Sequence, residues 1–384
     1  MESFTFQLKT TVCFGPSVAS SIGEKVRSYS AKKAFIVTDQ GVVKAGLLEQ
    51  IQKPLNEMGV KTVIFDEVEP DPGLETVHRC ASRFKEAGCD IIIAVGGGSP
   101  IDTAKGARVL VDNGGHIRDY AGVNKVPKAS SIPLIAVPTT SGTGSEVTVF
   151  AVLSDWENNI KITISSPYLA PELALVDPLL TITAPPSVTA ASGIDALAHA
   201  IETYVSTMAQ PPAEALALRA IEVIGKSLRT AVANGNDREA RVNMSLGSLL
   251  AGMAFNNSLL GLTHSIGAAL SGHAHVSHGI AIGLLLPHVM EFNAMARLQK
   301  FRDIAVALGE DIAGLSLREA ALKAVKAVRE LIDDIALPRR LREVGVTEGM
   351  IEGIAKDAMG HGMLRVNPRK PIEKDIMDIL AKAL

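Results

Sequence analysis

The stretch "IIIAVGGGSPIDTAKG", residues 91–106, decides the fold class. Its first half is a continuous β-branched apolar run, the pattern of a buried strand. That run ends in Gly96-Gly97-Gly98-Ser99, and Pro100 then opens a helix. Proline suits a first helical turn, where its missing N–H costs nothing. Glycines let a backbone approach a pyrophosphate closely, and the helix N-terminus offers unpaired N–H groups at its positive end.

Outward from it, "KAFIVTD" (33–39), "KTVIFDEV" (61–68) and "IPLIAVPTT" (132–140) read as further buried strands. Between them, "LLEQIQKPLNEMG" (47–59) and "GLETVHRCASRFKEAG" (73–88) carry the helical period and end in glycine. Strand and helix alternating at this spacing predict a parallel sheet covered by helices. Beyond about residue 185 the pattern changes. "APPSVTAASGIDALAHAIETYVS" (184–206), "AEALALRAIEVIGKSLRTAVA" (213–233) and "LREAALKAVKAVRELIDDI" (317–335) are helical, with hardly any strand-like alternation. The expected division is an α/β dinucleotide-binding domain over 1–184 and an all-helical, metal-binding domain over 185–384, parted at Pro185–Pro186. No internal repeat is apparent.

The bulk properties narrow the function. A chain of 384 residues is too long for one core. Its net charge of −3 argues against nucleic acid or an anionic membrane surface as partner. Cys13, Cys80 and Cys89 lack metal-type spacing and fit reduced thiols. The start "MESFTFQLKT" has no apolar core of a secretory signal, and no run reaches a membrane span. A cytoplasmic location is expected.

A second loop, "PTTSGTGSE" (138–146), also follows a strand. Ligands of parallel sheets bind beyond the carboxyl ends of the strands, so two such loops suggest one dinucleotide. GxGxxG is absent. Asp39, closing "AFIVTD", could accept hydrogen bonds from a ribose 2′-hydroxyl and would repel a 2′-phosphate, which favours NAD over NADP; a helix N-cap is the competing reading.

In "GIDALAHAIE" (193–202), Asp195 and His199 stand four apart and share a helix face. Four of the nine histidines then crowd "HSIGAALSGHAHVSHG" (264–279): His264, His273, His275 and His278. The glycines there imply a break between two helices, so His264 and His278 could converge on Asp195 and His199. Three imidazoles and one carboxylate suit Fe(II) or Zn(II), and not Mg(II) or Ca(II).

Together these residues resemble the iron-containing (group III) alcohol dehydrogenase family. "GGGSPIDTAK", "PTTSGTGSEVT", "DALAHAIE", "HVSHGIAIGLLLPHVMEFN" and the tail "NPRKPIEKDIMDIL" fall in the family's order and at its spacings. The resemblance implies a Rossmann-like domain and a helical domain in a dehydroquinate synthase-like architecture, with the active site between them. It implies metal ligands at Asp195, His199, His264 and His278. It implies that the nicotinamide cofactor is held by Asp39, Gly97, Gly98, Ser99, Asp102, Thr139 and Thr140, with Thr148, Val152 and Lys161 as further matches. Homodimers or larger homo-oligomers are common in the family. Its metal is usually Fe(II), sometimes Zn(II).

Two departures stand out. A histidine that many members carry four residues after His264 is Ala268 here, and His273 or His275 is the candidate to replace it near the reacting atoms; the alternative is a surface-facing turn. Asp71, in "EPDPG", stands where many relatives have Asn. The expected reaction is reversible hydride transfer between NAD(H) and a small alcohol or aldehyde, with the metal as Lewis acid. A glycerol-type dehydrogenase and a dehydroquinate synthase-type enzyme are the alternatives. Phe150 and Phe255 are candidate pocket walls, or ordinary core aromatics. His288 reads as a structural helix residue, and His78, His116 and His361 show no partner pattern.

Overall fold

Residues 3–158 and 160–384 are described by the structure, a computed structural model. Contacts gather the chain into two units: Leu8–Ala184, and Pro185–Leu384 together with the N-terminal segment through Gln7.

In the first unit, six strands make one parallel sheet. They are β1 (Thr11–Phe14), β2 (Lys33–Val37), β3 (Lys61–Phe65), β4 (Ile91–Gly96), β6 (Leu134–Pro138) and β9 (Leu173–Val176), in the order β1-β9-β6-β4-β2-β3. A smaller sheet orders β5 (Gly122–Val123), β8 (Ile160–Ser165) and β7 (Phe150–Asp155) as β5-β8-β7. Helices α1 (Ile22–Ser28), α2 (Gln40–Lys44), α3 (Leu47–Glu57), α4 (Leu74–Ala87) and α5 (Gly98–Asn113) intervene.

The unbroken apolar run of β4 has a direct cause. Ile92 and Ala94 enter one core with Phe35, Phe84 and Leu134. Ile91, Ile93 and Val95 enter a second core with Ile36, Ile51 and Ile135. Alternate side chains point to opposite faces, and both faces are covered, so no polar face remains. The winding reverses between β2 and β4: β3 lies outside β2, while β6 and β9 continue beyond β4. A crevice beyond the carboxyl ends of strands at such a reversal is where open parallel sheets bind ligands. Asp39 follows β2 there, and Gly96 ends β4.

The second unit is helical: α6 (Pro186–Val205), α7 (Pro211–Ala233), α8 (Arg238–Ser258), α9 (Leu262–Ala274), α10 (His278–Ala294), α11 (Leu298–Ala307), α12 (Leu317–Asp334), α13 (Ile351–Met359) and α14 (Glu373–Ala383). Small residues let its helices close up. A Cβ on Gly193 of α6 would lie 2.3 Å from Leu228 of α7, and one on Gly279 of α10 would lie 2.3 Å from the Ala191 carbonyl of α6. The N-terminal segment joins this unit through hydrogen bonds. The Gln7 amide donates to Asn257 (2.7 Å), and Gln210 donates to the Thr5 carbonyl (3.1 Å). Phe6 also packs against the helical core. Among the described residues no helix is long and apolar enough to cross a membrane.

Candidate metal centre and dinucleotide loops

Helix α6 is buried nearly all round from Gly193 to Val205, yet it carries Asp195, His199 and Glu202. Successive steps of four and three residues put all three on one face. Across from that face, α9 brings His264 in its first turn and α10 begins at His278. The three imidazole Nε2 atoms surround one carboxylate oxygen. Asp195 Oδ1 lies 3.3 Å from His264, 3.7 Å from His199 and 3.7 Å from His278. Asp195, His199 and His264 are buried and form a mutually close group of potential ligand atoms; His278, at the rim, stands outside that tight group.

Asp195 Oδ1 and His264 Nε2 are both buried without a hydrogen bond of acceptable geometry. Orphaned polar atoms in a protein interior are costly, and a cation between them removes that cost. The donor set, two buried imidazoles and a carboxylate with a third imidazole at the edge, therefore fits Fe(II) or a similar divalent ion. Electrostatics agree. Burial disfavours a charged His264, but Glu202 and Asp195 outweigh it and push the ring up to about 9. Burial also opposes the Asp195 carboxylate, yet the surrounding imidazoles hold it well below the usual range. The site is thus built to hold positive charge. Phe255 lies against His199, with ring centroids 4.7 Å apart, as one wall.

Glu202, the last residue of "DALAHAIE", has no role assigned by the sequence. It accepts from the Gly261 amide (2.9 Å) and the Thr263 amide (2.6 Å), and faces His264 Nδ1 at 2.7 Å. Its sequence signal was its place seven residues after Asp195, two turns along the same face.

In the sheet unit the two small-residue loops leave the ends of neighbouring strands, with Gly96 opposite Pro138 in register. They lie against each other. A Cβ on Gly97 would stand 3.1 Å from Thr140 Oγ1, and one on Gly98 2.9 Å from Thr143. Gly96 has φ +152°, and a Cβ there would meet Pro100 at 2.5 Å. Gly97 is the N-cap of α5 and no side chain caps that helix, which leaves first-turn N–H groups beside Ser99 for an anion. Asp39 caps α2: its Oδ1 accepts from the Val42 amide at 2.9 Å, while Oδ2 is directed towards Gly96.

Beneath the loops Lys105 is fully buried on α5. It donates to Ser145 Oγ (2.8 Å), Thr148 Oγ1 (3.2 Å) and the Phe150 carbonyl (2.6 Å). Asp102 accepts from Ser145 Oγ and from the Val152 amide (2.9 Å). Burial pushes Lys105 down to about 8, against the opposing pull of Asp102 and Glu146. Two side chains of α5 thus fasten the second loop to the helix that carries the first. Thr139 is buried, its amide donating to the Gly96 carbonyl (2.9 Å). Lys161 is ion-paired with Asp71 at 2.5 Å, so the charge at Asp71 has a local partner.

The remaining histidines lie elsewhere. His273 is nine residues past His264, half a turn round α9 and about 13 Å along it. It pairs with Asp357 of α13 at 2.7 Å. The structure does not bring it to the metal group. His275 ends α9 with φ +51° and is exposed. His288 lines a small cleft with Arg329 and Arg339. His78 and His116 do have partners: their ring centroids are 4.5 Å apart, and they accept from the amides of Ile117 and Arg118.

Glycine loops on a parallel sheet and a buried carboxylate–imidazole cluster in a helical unit are the features of an enzyme that binds a dinucleotide and a metal ion. Residues 9–178 match the iron-containing alcohol dehydrogenase family, and residues 189–384 match the C-terminal part of the Fe-containing alcohol dehydrogenase family. The chain is 42% identical over 382 residues to 1,3-propanediol dehydrogenase of Klebsiella pneumoniae, covering 99% of this chain and 98% of that one. It is 40% identical over 370 residues to NAD-dependent methanol dehydrogenase of Bacillus methanolicus, covering 96% and 97%. A crystal structure of 1,3-propanediol oxidoreductase matches with a TM-score of 0.97 at 41% identity, covering 100% of both chains. This chain belongs to the iron-containing alcohol dehydrogenase family. It is a metal-dependent, NAD(H)-linked oxidoreductase of small alcohols and aldehydes.

Proposed function

We propose that this enzyme interconverts a short aliphatic alcohol or diol with its aldehyde, using Fe(II), with Zn(II) as the alternative ion, and NAD in preference to NADP. The observation that carries this reading is the meeting of three imidazole nitrogens on one buried carboxylate oxygen at 3.3–3.7 Å. Asp195, His199, His264 and His278 would hold the ion. When bound, the ion supplies Lewis-acid activation of a substrate oxygen, and the nicotinamide supplies the hydride acceptor or donor.

The chain's own groups do the rest. The N–H groups of Gly97, Gly98 and Ser99 receive the pyrophosphate. Asp39 presents its second oxygen to the adenosine ribose and excludes a 2′-phosphate. Asp102, Thr139, Thr140, Thr148, Val152 and Lys161 complete the dinucleotide site, Asp102 by holding the second loop in place. Phe255 keeps the face of His199 dry. In the oxidising direction, alcohol and NAD yield carbonyl compound, NADH and one proton. The relatives named for 1,3-propanediol and methanol support a short substrate. A dehydroquinate synthase-like architecture, a homo-oligomeric state and a cytoplasmic location belong to the same reading.

His264→Ala tests it. Metal content by elemental analysis should fall, and turnover should drop at least about a hundredfold. Full metal content with full turnover would refute the ligand set.

A further inference from the structure

We propose that Glu202 is a positioning residue of the metal centre, holding His264 in the one tautomer and place from which it can ligate; this rests on the metal reading given above. Three donors converge on Glu202, which is itself buried: the amides of Gly261 and Thr263 and the Nδ1 of His264, at 2.9, 2.6 and 2.7 Å. An ionised carboxylate only accepts, so Nδ1 must carry the ring proton. In the neutral ring Nε2 is then bare, and it is this atom that lies 3.3 Å from Asp195 Oδ1.

The same carboxylate also anchors the helix. The first N–H groups of α9 have no partner within the helix. Glu202 takes those of Gly261 and Thr263, and Asn367 Oδ1 takes that of Leu262 at 3.2 Å. Asn367 is locked in turn by reciprocal hydrogen bonds with Asn293 at 3.0 and 2.8 Å. A negative charge at this helix end is also favoured by the dipole. Gly261 is required for the close fit, since a Cβ there would lie 2.9 Å from Asn367 Oδ1 and 3.3 Å from Glu202 Oε1. The position of His264 and the state of its ring thus share one determinant, on the helix that also carries Asp195 and His199.

Glutamine at 202 would turn an NH2 group towards one of three donors. Facing Nδ1, it would make that atom an acceptor and move the proton to Nε2. Facing the helix end, it would push an amide away.

The test is Zn(II) affinity, measured by chelator competition on metal-stripped protein. Glu202→Gln should weaken binding ten- to a hundredfold, the usual effect of losing such a partner. Circular dichroism and a melting curve of the metal-free protein check that the fold is kept. Glu202→Asp retains the charge but withdraws the oxygens by one methylene, and should also weaken binding at least about fivefold. If it binds Zn(II) as the parent does, charge alone matters and the positioning role is overturned. In a His264→Ala background, Glu202→Gln should leave the residual affinity unchanged; an equal further loss would show that it acts through the fold instead. Asp195→Ala is run in parallel. A parent protein that holds Zn(II) no better than Asp195→Ala would sink the metal reading itself. A tight parent with an equally tight Glu202→Gln would sink only this proposal.

Discussion

Asp39 shows how much one side chain can be asked to do. Its Oδ1 caps α2, and its Oδ2 is directed towards Gly96 at the end of β4. N-cap and ribose acceptor appeared as rival readings of the sequence, but a carboxylate has two oxygens, and the cap uses one. Asp39→Gly separates the two roles. Glycine is an acceptable N-cap and costs only a few tenths of a kcal/mol. The variant should therefore melt close to the parent while its kcat/KM ratio for NADP over NAD rises at least about tenfold, one to two charge-assisted contacts being exchanged for none. An unchanged ratio in steady-state kinetics would remove Asp39 from cofactor selection. Asp195 and His199 stand out in the sequence as polar residues four apart in an apolar helical run, and the structure brings His264 and His278 to the same carboxylate oxygen. Glu202 was harder to read: an acid ending a helical motif is ordinary, and only the fold shows that three donors face it.

At the scale of elements, α5 is where the sheet unit concentrates its risk. Lys105 is fully buried and joins α5 to the second loop at Ser145 and to the residues after it at Thr148 and the Phe150 carbonyl. Its pKa, pushed down to about 8 by burial, gives a pH signature. Between about pH 8 and the ordinary 10.5, the unfolded chain binds a proton that the folded chain has released. Stability contributed by this group therefore rises with pH across that window, by up to about 3 kcal/mol at roughly 1.4 kcal/mol per pH unit. Lys105→Met should be less stable than the parent throughout, because it removes the three hydrogen bonds that Lys105 donates to Ser145, Thr148 and the Phe150 carbonyl. The gap should widen from pH 8 to 10.5 in denaturant titrations; a constant gap would contradict the buried cation. The strands 33–37, 61–65, 91–96 and 134–138 were legible from their apolar runs. The hairpin of β7 and β8 was not, although β8 alternates polar and apolar residues from Lys161 to Ser165, because β7 is apolar on both faces from Phe150 to Leu153 and shows no matching alternation. Nor were β1 and β9, four residues each.

Over the whole molecule, the sequence carried the change from strand–helix alternation to helices alone, and the structure divides at Ala184–Pro185. What composition could not convey was the return of the N-terminal segment to the helical unit, which rests on Phe6 packed against the helical core and on hydrogen bonds of Gln7 with Asn257 and of Thr5 with Gln210. The central claim, that the buried histidine–carboxylate cluster and the glycine loops serve one hydride transfer, is tested most directly by an NADH oxidation screen across small aldehydes. The protein is loaded anaerobically with Fe(II), its metal content is measured, and Asp195→Ala is the control. The expected result is about one ion per chain and one NADH consumed per aldehyde reduced, both lost in Asp195→Ala. Full metal occupancy with no turnover of any aldehyde would contradict it.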